Sequence, residues 1–167
     1  RDKGIRELVS AMKRLDGKNV KLLLVGRFES DIDPLDDDDD RYLHDSQNVV
    51  FVGWQNDVRP YLKAADALVF PSYREGLPNV RIQAGAMGLP SIVTDINGCN
   101  EIIIDGKNGF IVPTRDGEAL YKKMLWMVDN PDASAQMGAD SRPLVESRYE
   151  QKDVWKALYG MYLSLEE

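Results

Sequence analysis

The chain has 167 residues, 43% hydrophobic and 29% charged, with a net charge of −7 at pH 7; this is the profile of one soluble globular domain with a single core. No apolar run nears the ~20 residues of a membrane span and no signal peptide opens the chain; one cysteine, Cys99, and one histidine, His44, exclude an internal disulfide and a Cys/His zinc site. Seven Asp crowd into residues 31–40 and the remaining charges balance without them, so the acidity belongs to one segment and no basic face points to nucleic acid.

In chain order, Ile5, Leu8, Val9, Met12 and Leu15 recur at helical spacing and stop at Asp16-Gly17. Val20 to Gly26 (VKLLLVG) is a continuous apolar run, as a strand covered on both faces requires. The acidic run DIDPLDDDDD lacks the alternating ligand spacing and turn glycine of a calcium loop, and is expected as a solvated loop. A second strand, Val49 to Gly53, follows, then a short helix from Val58 to Ala64 and a third strand from Ala67 to Ser72. A helix from Pro78 to Met87 has proline in its first turn, where the missing N–H costs nothing. Strands at Ser91 to Asp95 and Gly109 to Pro113 precede three helices, Gly117 to Val128, Asp132 to Glu146 and Gln151 to Leu165, with Pro131 and Pro143 as punctuation.

Short buried strands alternating with helices predict an α/β fold, a Rossmann-like open parallel sheet flanked by helices, in one domain over residues 1–167. No G-x-G-x-x-G follows a strand, no G-x-x-x-x-G-K-[ST] is present, and no G-x-S-x-G elbow occurs. The two Gly-Lys-Asn triplets, at 17–19 and 106–108, read as turns before strands.

The chemistry concentrates in residues 71–113. There a strand ends at PSYREGLPN and a helix begins, with Glu75 and Asn79 at the junction. Such a turn aims unpaired N–H groups and a positive helix dipole at an anion, and a carboxylate beside it can accept hydrogen bonds from sugar hydroxyls. Together these suit a phosphorylated sugar.

From Glu75-Gly76-Leu77-Pro78-Asn79-Val80 through Ala84-Gly85-Ala86-Met87-Gly88-Leu89-Pro90, Gly98 with Glu101, and Asn108-Gly109, the chain resembles the donor-binding domain of a GT-B glycosyltransferase of family 4 (group 1). The likeness reaches back to Lys3-Gly4-Ile5 and covers nearly the whole chain as a C-terminal domain. It implies that Glu75 lies by the transferred sugar and that Lys3 neutralises the diphosphate leaving group, so both are candidate catalytic residues. Gly76, Leu77, Pro78, Asn79 and Val80 would form the donor-binding turn. Gln83 stands where the family's second, ribose-binding Glu is usual, and its amide can still hydrogen-bond a ribose. The family's companion Arg, the central strand before the Lys-Gly helix and the N-terminal acceptor domain would all lie upstream of Arg1.

The resemblance further implies a retaining transferase moving a hexose or N-acetylhexosamine from a nucleoside diphosphate sugar, with UDP the expected nucleotide, into a bacterial capsule, lipopolysaccharide or other envelope glycan. No metal or other cofactor is expected, the nucleotide sugar being a substrate. The implied place is the cytoplasm, with peripheral contact to the inner membrane as an option, and the isolated domain is expected to be inactive. Two alternatives remain open: a non-catalytic nucleotide-sugar-binding module, and a GT-B epimerase that works without NAD.

Plainer readings stand beside several of these residues. Glu75 could only favour the helix dipole, and Lys3 and Gln83 could be surface residues. Glu101 is expected to brace its own loop, and Arg74 and Arg81 to be solvated. Trp54 is open between a nucleotide base and packing. Trp155, Leu158, Tyr162 and Leu165 form a helical stripe of the kind usually buried; the resemblance implies that the last helices cross towards the N-terminal domain, which would leave part of this stripe exposed. With the central strand absent, VKLLLVG is expected either to pair directly with ALVFPS or to receive a segment from another molecule, with self-association in the second case.

Overall fold

The computed structural model describes residues 2–27 and 34–165. Helix α1 (Ile5–Arg14) buries Leu8, Val9, Ala11 and Met12, the stripe its spacing demands, and Lys13 and Arg14 oppose the dipole at its last turn. The strand β1 (Leu22–Val25) pairs in parallel with β2 (Val49–Gly53), Leu22 facing Val49 and Leu24 facing Phe51. Between them lies α2 (Asp37–Asp45). A solvated loop was expected over 31–40; residues 37–40 are instead the first turn of this helix, and residues 31–33 lie outside the described residues. The physical reason is local. Asp36 caps the helix by accepting the Asp39 N–H at 2.9 Å, the first-turn carboxylates face the positive dipole end, and Lys13 reaches Asp38 at 2.6 Å and Asp39 at 2.9 Å. Those two hydrogen bonds push the Lys13 pKa well above its ordinary value.

The rest of the chain builds a second sheet. Helix α3 (Arg59–Ala64) leads to β3 (Leu68–Phe70), α4 (Asn79–Ala86) to β4 (Ser91–Thr94), and β5 (Gly109–Val112) completes a parallel sheet of order β3-β4-β5. Leu68 faces Ser91, and Ser91 in turn faces Gly109. All four residues of β4 are buried, the state of a central strand covered on both faces. Helix α5 (Gly117–Asp129) is capped by the Asp116 carboxylate, and α6 (Pro131–Tyr149) runs on through Pro143 rather than stopping there. Helix α7 (Gln151–Leu163) buries no residue, and its apolar stripe leaves Trp155 62% exposed and Tyr162 57% exposed.

β2 lies beside β1 and β3-β4-β5 follow in order, but they form two sheets rather than one. Direct pairing of β1 with β3 is not formed. A cavity of about 1230 Å³ separates their facing edges, bounded by Leu22 to Val25 on one side and Leu68 to Phe70 on the other. Helix α1 explains why the gap stays open. Its Leu8, Met12 and Leu15 belong to one core cluster that also takes Val20 and Leu22 from the first half and Val69 and Ile92 from the second. Closing by one strand spacing, about 4.8 Å, would drive those side chains out of both. Neither expected arrangement is met: β1 and β3 stand unpaired across the cavity, and no segment lies between them among the described residues.

Candidate functional site

The carboxyl ends of β3 and β4 meet the start of α1 and the start of α4, the place where open parallel sheets bind ligands. After Phe70 the chain turns through Pro71 and Ser72, and two close backbone approaches fix it there. Gly4, at φ +66°, lies so near Pro71 that a Cβ would fall 2.1 Å from its carbonyl oxygen. Gly98, at φ +76°, lies so near Gly76 that a Cβ would fall 1.6 Å from that carbonyl. Only glycine meets both demands, of space and of a left-handed backbone.

Glu75 and Lys3, 72 residues apart in sequence, are joined: Lys3 Nζ donates to Glu75 Oε1 at 2.6 Å. Ser72 Oγ lies 2.8 Å from the same oxygen, and the Thr94 hydroxyl, buried in β4, donates to the Ser72 carbonyl. Asp2 is tied in as well. Its carbonyl accepts the Tyr73 N–H at 2.7 Å and lies 2.9 Å from Ser72 Oγ, and its carboxylate takes Arg74 Nη2 at 2.9 Å. The Glu75 side chain is 16% exposed and that of Lys3 66% exposed, so the carboxylate is set into the turn and the ammonium reaches over it from solvent.

Gly76 and Leu77 are exposed, Pro78 is buried, and Asn79 opens α4. Pro78 is the N-cap rather than a residue of the first turn, and it offers no side-chain cap. The Arg81 N–H bonds to Pro78 O at 3.0 Å, while the Asn79 and Val80 N–H groups have no acceptor among the described residues. An unpaired N–H pair at a helix start is an anion seat. Gln83 is exposed on α4, four residues after Asn79. The large cavity between the sheets meets this turn at Lys3, Pro71 and Val80 but is lined by neither Glu75 nor Gln83.

One residue falls differently from expectation. Arg81, expected in solvent, is 1% exposed, and its Nε, Nη1 and Nη2 find no hydrogen-bond acceptor among the described residues. Burial pulls its pKa down, with the Cys99 thiol beside it acting the other way. Glu101 does brace its loop, accepting the Gly98 N–H at 3.4 Å. Trp54 is 60% exposed just after β2, with the Arg27 guanidinium 4.9 Å over its ring. Ser72, Thr94 and Asp2 went unread in the sequence. A Pro-Ser pair after an apolar run marks a strand end and carries no sign of which carboxylate its hydroxyl will meet.

Residues 1–130 match the sequence family described as Glycosyl transferases group 1. Among curated proteins, the capsular polysaccharide biosynthesis glycosyltransferase CapM of Staphylococcus aureus is 32% identical over 97% of this chain and 43% of its own length. Among solved structures, the sucrose-phosphate synthase of Thermosynechococcus elongatus superposes with a TM-score of 0.84 at 28% identity, over 99% of this chain and 43% of that one. The Anabaena protein HepE in complex with UDP-glucose superposes with a TM-score of 0.82 at 20% identity, over 95% of this chain and 46% of that one. The chain therefore spans less than half the length of these proteins.

Proposed function

The chain belongs to the group 1 glycosyl transferases, and on that premise we propose that it is the donor-binding half of a retaining enzyme that transfers a hexose or N-acetylhexosamine from a UDP-sugar to an envelope glycan precursor. The observation that carries this reading is the meeting of Glu75, Lys3 and the uncapped start of α4 at the carboxyl end of β3. The diphosphate sits on the Asn79 and Val80 N–H groups, where two dipoles and the helix field face its charge. Lys3 meets the negative charge that grows on the leaving UDP as the glycosidic bond breaks, so it favours the transition state over the ground state. Glu75 accepts hydrogen bonds from the sugar hydroxyls, and Gly76, Leu77 and Pro78 shape the turn that receives the ring. Gln83 hydrogen-bonds the ribose hydroxyls through its amide. The scheme uses no metal or other cofactor, since Lys3 and the helix start supply the countercharge.

The relative from Staphylococcus aureus is named for capsular polysaccharide biosynthesis, which supports an envelope glycan as the product class. The acceptor belongs to the other half of the full-length protein, which works in the cytoplasm or at the inner face of the membrane. Among the described residues no helix is long and apolar enough to cross a membrane.

Titration of UDP and UDP-glucose into isotope-labelled protein tests the site: amide shifts are expected at Glu75 to Gln83 and around Lys3. Shifts confined to another face remove the assignment. With the full-length enzyme, product analysis separates the alternatives. A sugar joined to an acceptor supports transfer, a free nucleotide sugar with one inverted centre indicates an epimerase, and binding without turnover indicates a non-catalytic module.

A further inference from the structure

We propose that Ser72 is a positioning residue for the transfer reaction: it holds the Glu75 carboxylate by Oε1 and so presents Oε2 to the donor sugar once Lys3 has turned to the diphosphate. The proposal rests on the functional reading above and adds a residue to it. Both hydrogen bonds to Glu75 converge on Oε1, from Lys3 Nζ at 2.6 Å and from Ser72 Oγ at 2.8 Å. Oε2 receives none among the described residues.

The two partners differ in what they can do next. Lys3 is 66% exposed on its side chain, a flexible cation with solvent on one side. A diphosphate carries more charge than a carboxylate and sits on the neighbouring helix start, so its arrival draws the ammonium off Glu75. Ser72 has no such freedom. It is 1% exposed, its carbonyl is fixed by the Thr94 hydroxyl from the buried strand β4, and its position follows directly from the end of β3. Its hydroxyl carries one proton, and three oxygens lie within reach: Glu75 Oε1 at 2.8 Å, Asp2 O at 2.9 Å and Arg74 O at 3.3 Å. The ionised carboxylate is the strongest acceptor of the three, and Asp2 O already takes the Tyr73 N–H. When Lys3 leaves, Ser72 is the partner that remains, and Glu75 keeps its orientation.

The test is a double-mutant cycle in the full-length enzyme with UDP-glucose or whichever UDP-sugar it turns over. Ser72→Ala removes one oxygen and leaves the Thr94 bond to the backbone in place. It is expected to lower kcat about tenfold, the scale of one hydrogen bond to a charged group, with KM for the donor within about twofold. In a Glu75→Gln background the same change is expected to alter kcat by less than about twofold, because its effect runs through Glu75. Ser72→Thr, which keeps the hydroxyl, should recover most of the rate. Losses that multiply independently in the double mutant overturn the proposal and leave the functional reading standing, as does a loss in Ser72→Ala that appears in KM alone. A wild-type enzyme that transfers no sugar from any nucleotide sugar ends the functional reading itself, and the role of Ser72 with it.

Discussion

The two sheets of this molecule are built from equally apolar strands and end in different conditions. In the β3-β4-β5 half, Ile92 and Val93 are fully buried and Phe110 and Val112 nearly so, while β3, which edges the cavity, is half-buried. In the β1-β2 half, β1 is only half-buried along its length, and Val50 and Phe51 of β2 are 49% and 44% exposed. The difference lies in covering rather than composition. The better-packed half holds the candidate site, at the end of β3 beside β4, a strand that cannot shift without breaking the core. This is how a turn positions a carboxylate to a fraction of an ångström.

The largest contrast expected is in stability. Ile92→Ala should cost about 2–5 kcal/mol in urea unfolding, the range for emptying a closed core position, whereas Val50→Ala should cost less than about 1 kcal/mol. Equal losses would break the distinction between the halves. Next in size is Glu75→Gln in the full-length enzyme, expected to lower turnover by about a hundredfold or more, near 2.8 kcal/mol of transition-state stabilisation, while UDP affinity changes little. A parallel loss in UDP binding and turnover, measured by calorimetry and initial rates, would assign Glu75 a structural role.

Gln83→Glu sharpens the same half more gently. An ionised acceptor bonds hydroxyls more strongly than an amide, so the UDP dissociation constant should fall a few-fold; a rise would remove the ribose assignment. The smallest effect concerns Tyr73, just beyond β3. Burial, followed by the adjacent Glu7 carboxylate, pushes its phenol up to about 12 from an ordinary value of 10.0. The folded state therefore holds that proton longer than the unfolded one. The stability it contributes is complete below pH 10 and is lost as pH rises from 10 to 12. Phenolate absorbance should show a late step that Tyr73→Phe abolishes, and a titration identical in the two proteins would contradict this.

Much of the architecture was legible because the strands and helices carry their own periodicities. The stripe of α1, the apolar runs of β1 and β4 and the turn at 75–79 each follow from local spacing. The acidic segment was misread because a solvated charge run and the capped first turn of a helix have the same composition; the cap at Asp36 and the reach of Lys13 separate them, and Lys13 is distant in sequence. Arg81 was misread for a related reason. An arginine next to an exposed motif looks solvated, and only the packing of the loop around Cys99 and the end of α6 against α4 encloses it.

The sequence alone determined the α/β class and the turn that carries Glu75, because those features depend on neighbours a few residues apart. Only the tertiary structure decided that Lys3 and Ser72 meet on one oxygen of Glu75, that Arg81 is enclosed, and that β1 and β3 stand apart across a cavity. The first and the last of these depend on where α1 lies. Its apolar stripe spans both halves of the core, and its first residues are anchored at Pro71 and Tyr73, so one helix sets at once the width of the gap and the place of the lysine.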